Sequence, residues 1–105
     1  MNTWKSGAEA EKLYEKILQD QGFWTRRFPK TKFYKQDLFG TDIIAIGVGE
    51  IRFVQVKSNK NRFPAFEKKV KMELKKLYVR LPNECSVWWA GYHRKAKLWR
   101  VKEIK

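Results

Sequence analysis

Gly40-Thr41-Asp42-Ile43-Ile44-Ala45-Ile46-Gly47-Val48-Gly49-Glu50-Ile51-Arg52-Phe53-Val54-Gln55-Val56-Lys57 is the stretch that decides the fold. Two runs rich in β-branched residues, Asp42 to Ile46 and Ile51 to Lys57, flank Gly47-Val48-Gly49-Glu50, which predicts a β-hairpin. A turn at Val48-Gly49 sets Gly47 against Glu50. Counting back along both strands then sets Asp42 against Gln55. Directly opposed residues project from one face of a sheet, and Lys57, two beyond Gln55, points to that face as well. A carboxylate, an amide and an ammonium are thus expected together at the open end of the hairpin, provided that the register does not slip by one.

Outward from the hairpin, the chain alternates helical and strand patterns. A helix is predicted from about Ser6 to Gln21, with Ala10, Leu13, Tyr14, Ile17 and Leu18 as its apolar stripe. Ser6 and Glu9 have capping-box spacing, and Gly22 sits where a helix stops. Phe23 to Phe28 reads as a strand, Pro29 to Lys35 as a basic connection, and Asp37-Leu38-Phe39-Gly40 as a turn whose aspartate bonds its own backbone. Beyond the hairpin, Ser58 to Pro64 is a polar loop. A second helix follows from Pro64 or Ala65 to Arg80, with Phe66, Val70, Leu74, Leu77 and Leu81 inward and Pro82 ending it. Cys85 to Ala90 and Lys97 to Val101 are closing strands around a turn at Tyr92 to Lys95. The order α-β-β-β-α-β-β specifies an α/β sandwich with a mixed sheet.

The 105 residues suit one domain and are too few for two. A hydrophobic fraction of 43% is enough for a core and excludes a disordered chain. Lys and Arg number 24 against 11 Asp and Glu, a net charge of +13, which favours a polyanionic partner, nucleic acid before an anionic membrane surface. Cys85 is the single cysteine, so no intramolecular disulfide forms. No apolar run reaches the ~18 residues of a membrane span, and residues 1–20 lack the apolar stretch expected of a signal peptide. The expected location is cytoplasmic.

Two accounts of the polar trio compete. In one, Asp42 and Lys57 are a buried or half-buried ion pair that fixes register. In the other they serve phosphodiester hydrolysis. Mg²⁺ takes hard oxygen ligands; Asp42 offers a carboxylate, Gln55 an amide oxygen and Val56 its main-chain carbonyl. Such an ion activates water and offsets charge on phosphate, while Lys57 orients that water and steadies the transition state.

Gly40-Thr41-Asp42-Ile43-Ile44, followed thirteen residues after Asp42 by Gln55-Val56-Lys57, resembles the signature of PD-(D/E)XK nucleases. Ser6-Gly7-Ala8-Glu9-Ala10-Glu11, running on to Gly22-Phe23, looks like the first helix of archaeal Holliday-junction resolvases in that superfamily. The resemblance covers about Ser6 to Lys57. It implies a restriction-endonuclease-like α-β-β-β-α-β core with a mixed central sheet flanked by helices, here plus a C-terminal strand, as a single nuclease-like domain over residues 1–105. It also implies a Mg²⁺-dependent DNA endonuclease, with Mn²⁺ as a substitute, that is homodimeric and acts on branched DNA in repair or recombination. By position Asp42 matches the metal-binding aspartate, Lys57 the catalytic lysine and Glu11 the first-helix glutamate that helps hold metal. Glu9 competes with Glu11 but has the local role of a cap. Gln55 stands where the family usually has an acid, so metal affinity should be lower. Virus-type replication-repair nuclease domains resemble this chain in having Gln-x-Lys.

Phosphate contacts are expected from Lys60, Arg62, Lys68, Lys71 and Lys75, and from a second cluster of Arg26, Arg27, Lys30, Lys32 and Lys35, without base-specific readout. Of the consecutive Trp88 and Trp89, which face opposite ways, one is expected in the core and the other at a contact between copies. His93, the only histidine, is expected in a turn and lacks a partner for zinc or a triad. Two further readings remain: a non-catalytic nucleic-acid-binding domain that retains the nuclease fold, and a small basic RNA-binding or ribosome-associated protein with a structural polar trio.

Overall fold

A computed structural model describes residues 3–28 and 38–105, with side chains from residue 7 onward. Its elements follow the expected order: α1 (Thr3–Asp20), β1 (Trp24–Arg27), β2 (Ile43–Gly47), β3 (Glu50–Asn59), α2 (Lys68–Tyr78), β4 (Cys85–His93) and β5 (Leu98–Ile104). The strands form one sheet in the order β1-β2-β3-β4-β5. β2 is antiparallel to both β1 and β3, β3 and β4 are parallel, and β5 returns antiparallel to β4. The mixed sheet follows from the connections: short turns join β2 to β3 and β4 to β5, whereas the parallel β3–β4 pair needs α2 as its crossover. None of the described helices is long and apolar enough to cross a membrane.

The two helices cover opposite faces. Ala10, Tyr14 and Leu18 of α1 pack on Ile43, Ala45, Val54, Val56 and Ala90. Leu74 and Leu77 of α2 pack on Phe53, Val87, Trp89 and Ile104. The alternation of strand side chains generates both clusters, because β3 and β4 are apolar on each face. Trp89, 1% exposed, is the largest fully buried side chain, and Phe66 stacks on it with ring centroids 4.8 Å apart.

Several boundaries differ from those expected. α1 begins at Thr3, so Ser6 lies within the helix rather than at its N-cap, and Glu9 is exposed. α2 begins at Lys68 rather than at Pro64 or Ala65. Phe66 is spent on Trp89, and Glu67 stays extended at φ −67, ψ 145, so 61–67 cross the sheet face as irregular chain. β3 runs on to Asn59, into the stretch expected as loop, because Ser58 and Asn59 pair with Tyr92 and His93. The same pairing carries β4 to His93, which therefore ends a strand, and moves the turn to residues 94–97. β5 then spans Leu98–Ile104 rather than Lys97 to Val101. The basic connection of 29–35 and Asp37 lie outside the described residues.

Gly91 marks a close approach. A Cβ there would lie 2.5 Å from Trp89 Cη2, 2.9 Å from Cζ3 and 3.1 Å from Pro64 Cγ. The indole is held in the core by its neighbours and cannot retreat. Gly91→Ala is therefore expected to cost about 1–3 kcal/mol of stability through overpacking, read as a lower midpoint in thermal or urea melts.

Candidate active site

The hairpin register is as expected from Gly47↔Glu50 back to Ile43↔Val54. At Asp42 it departs. The Asp42 N–H donates to Val54 O at 2.7 Å, although Ile43 is already the partner of Val54, so two residues oppose one, as in a bulge. Asp42 is therefore outside β2 and does not stand squarely opposite Gln55. Its carboxylate takes the place that the next ladder bond would occupy: Oδ2 accepts the Val56 N–H at 2.8 Å. Its carbonyl accepts the Phe28 N–H at 2.9 Å. Three hydrogen bonds thus fix Asp42 in the notch where β2 ends and β3 runs on. In a strand the N–H and C=O of one residue point to the same side, so the Val56 carbonyl faces this notch too.

Gln55 lies on the α2 face of β3, in register with Trp89. Like Asp42, it is 7% exposed. The turn leading into Asp42 covers it. Thr41 closes that turn by donating to Leu38 O from its N–H at 3.0 Å and from its hydroxyl at 2.6 Å. At φ +84, Gly40 takes the left-handed position, and a Cβ on it would stand 3.2 Å from Gln55 Nε2. The Gln55 amide oxygen is buried without a hydrogen-bond partner among the described residues, and so is the Trp89 indole N–H. An orphaned buried acceptor costs free energy unless something electropositive meets it.

Lys57 is exposed. A buried Asp42–Lys57 ion pair is thus not what holds the hairpin together, because β3 has outrun its neighbour β2 at this point and leaves Lys57 to solvent. Glu11, only 6% exposed, sits on α1 between Ala10 and Tyr14, which both pack on the sheet. It reaches the sheet from the opposite layer to Gln55. Burial pushes the Tyr14 phenol above its ordinary range, with the Arg52 guanidinium opposing. Among the described residues no three of His, Cys, Asp and Glu gather into a metal cluster. The donor set of Asp42 carboxylate, Gln55 amide oxygen and Val56 carbonyl is all oxygen and suits a hard divalent cation. The orphaned Gln55 oxygen fits such an ion.

The expected phosphate contacts divide by position. Lys60 and Arg62 are exposed just beyond β3, and Lys68, Lys71 and Lys75 are exposed on α2. Arg27 pairs with Glu15 at 2.9 Å, and Arg26 lies over the Trp24 ring at 5.6 Å. Lys30, Lys32 and Lys35 lie outside the described residues. Trp88 has partners within the chain: its indole N–H donates to Ser86 Oγ at 2.7 Å, and Arg52 lies over its ring at 4.6 Å. His93 Nδ1 accepts the Ala96 N–H at 3.2 Å, a turn-closing role. Sequence reasoning gives Gly40 only as the end of a turn and the start of the motif, and misses its approach to Gln55. A glycine two residues before Asp42 was the available signal for a close backbone approach.

No protein-family profile matches the sequence, and no curated protein matches it. Solved structures do. One is Hjc from Archaeoglobus fulgidus, a Holliday junction resolvase from an archaeal hyperthermophile, with a TM-score of 0.70 and 17% identity over 94% of this chain and 73% of that one. The fold is therefore restriction-endonuclease-like: a mixed five-stranded sheet between two helices.

Proposed function

We propose that the chain is a divalent-metal-dependent DNA endonuclease, a single nuclease-like domain over residues 1–105 selective for branched DNA in the manner of a Holliday junction resolvase. The observation that carries this reading is the pair of buried oxygen donors at the end of the hairpin: the Asp42 carboxylate, pinned by the Val56 N–H, and the Gln55 amide oxygen, which has no hydrogen-bond partner among the described residues. The resolvase-like fold supports it. Asp42, Gln55 and the Val56 carbonyl would hold Mg²⁺ or Mn²⁺, with Glu11 as a further carboxylate. When bound, the ion supplies Lewis-acid polarisation of the phosphate and activation of water. Lys57 positions the attacking water through its ammonium and offsets the negative charge that grows on the phosphate oxygens. The exposed cations hold the DNA backbone irrespective of sequence. Cutting two strands of a junction requires two centres, which supports a homodimer, and the DNA partner supports a cytoplasmic location.

The test is incubation of labelled four-way junction, flap, duplex and single-stranded DNA with Mg²⁺ or Mn²⁺. Cleavage strongest on the junction is the expected result, with two copies per junction by light scattering. The absence of an acid at Gln55 favours one alternative, a non-catalytic binding domain. Junction binding without cleavage in either metal would establish that alternative, and strong preference for RNA would displace both.

Gln55→Glu supplies the missing charge. It is expected to tighten Mn²⁺ binding by about tenfold or more, since ligand charge sets affinity at hard-cation sites. Calorimetric titration reads this without reference to activity, and unchanged affinity would remove Gln55 from the ligand set.

A further inference from the structure

At the end of the sheet where β3 outruns β2, the flanking segments carry cations and no acids. From Ile51 to Phe66, and again from Cys85 to Lys102, the sequence contains no Asp or Glu. Two backbone hydrogen bonds fasten the β4–β5 turn to the continuation of β3. The Arg94 N–H donates to Asn59 O at 2.9 Å and the Lys95 N–H to Lys60 O at 3.0 Å. The turn is thus a fixed neighbour of the strand that carries Gln55, Val56 and Lys57.

Lys95, Lys97 and Arg100 are all exposed there. The Arg100 guanidinium lies 4.2 Å over the Phe63 ring, which orients it while leaving its N–H donors for another acceptor. Lys97 adopts φ 56, a conformation that disfavours L side chains and defaults to glycine. The Lys97 N–H closes the turn on His93 O at 2.8 Å. Glycine would fit this position with less strain, so the Lys97 side chain can be removed without disturbing the turn.

We propose that the β4–β5 turn is a second DNA-backbone clamp, in which Lys95, Lys97 and Arg100 hold phosphates of the strand that passes the Asp42 centre. From Val56 to Asn59 β3 advances about 10 Å at ~3.3 Å per residue, and one DNA strand rises about 3.4 Å per nucleotide. The clamp therefore engages phosphates about three nucleotides from the centre. The inference rests on the DNA-acting reading of the site and adds to it the path of the bound strand.

The experiment is fluorescence anisotropy of a labelled four-way junction across a salt series. It compares the wild-type chain, a Lys95→Ala/Lys97→Gly/Arg100→Ala variant, and a charge-matched Lys12→Ala/Lys16→Ala/Lys105→Ala control. The clamp variant is expected to lose at least about tenfold in affinity, and its log–log salt slope to fall by about 2–3, near 0.9 for each lost phosphate contact. The control is expected to keep the wild-type slope. Lys97→Gly alone should lower the slope by about 1 while its melting temperature stays level or rises. A Lys97 with only a structural role would show no change of slope. Wild-type slopes in both clamp variants would overturn the clamp and leave the DNA-acting reading standing. Failure of the wild-type chain to bind DNA would overturn that reading and the clamp with it.

Discussion

Asp42→Ala is expected to lower DNA cleavage by about a thousandfold or more, the scale for losing a group that stabilises the reacting phosphate. Junction binding should largely persist, because the exposed lysines and arginines that would supply it are untouched. The same change should cost about 1–3 kcal/mol of stability, since it strips the buried Val56 N–H of its acceptor. Asp42→Asn separates the two effects. An amide oxygen can still accept the Val56 N–H, so melting should return toward wild type while cleavage stays lost. If Asp42→Asn cleaves normally, the carboxylate charge has no part in the chemistry.

Lys57→Ala is expected to reduce cleavage by about 100- to 1,000-fold and to leave stability within about 0.5 kcal/mol of wild type. The contrast with Asp42 follows from position. Lys57 is exposed on a strand that has passed its neighbour, so nothing in the fold depends on its ammonium. Metal affinity should also be unchanged, because an ammonium has no lone pair to offer. Cleavage assays paired with Mn²⁺ titration check both statements. A fall in cleavage accompanied by an equal fall in stability would mean that Lys57 supports the strand rather than the reaction.

The sequence made the centre of the fold readable because its information there is local. A two-residue turn between β-branched runs admits one register, and that register holds from Gly47↔Glu50 to Ile43↔Val54. The apolar stripe of α1 likewise left Glu11 at its border, where it is buried. What could not be read depends on contacts distant in the chain. The slip at Asp42 arises because Phe28, Val54 and Val56 all bond to that one residue. The late start of α2 arises because Phe66 is claimed by Trp89, and the extra length of β3 because β4 continues beside it. The exposure of Lys57 follows from the same difference in strand length, which residue spacing does not encode.

The outer strand β5 has a consequence for the protein as a material in solution. It ends the sheet, and a bare sheet edge is a template for stacking one chain onto the next. Here Arg100, Lys102 and Glu103 stand exposed along it, on a chain of net charge +13, so like-charge repulsion opposes pairing through this edge. That protection is electrostatic and can be switched off: a polyanion that neutralises the surface also lifts the guard on the edge. Concentrated protein should therefore stay clear in low salt and turn cloudy as sub-stoichiometric DNA brings the mixture toward charge balance.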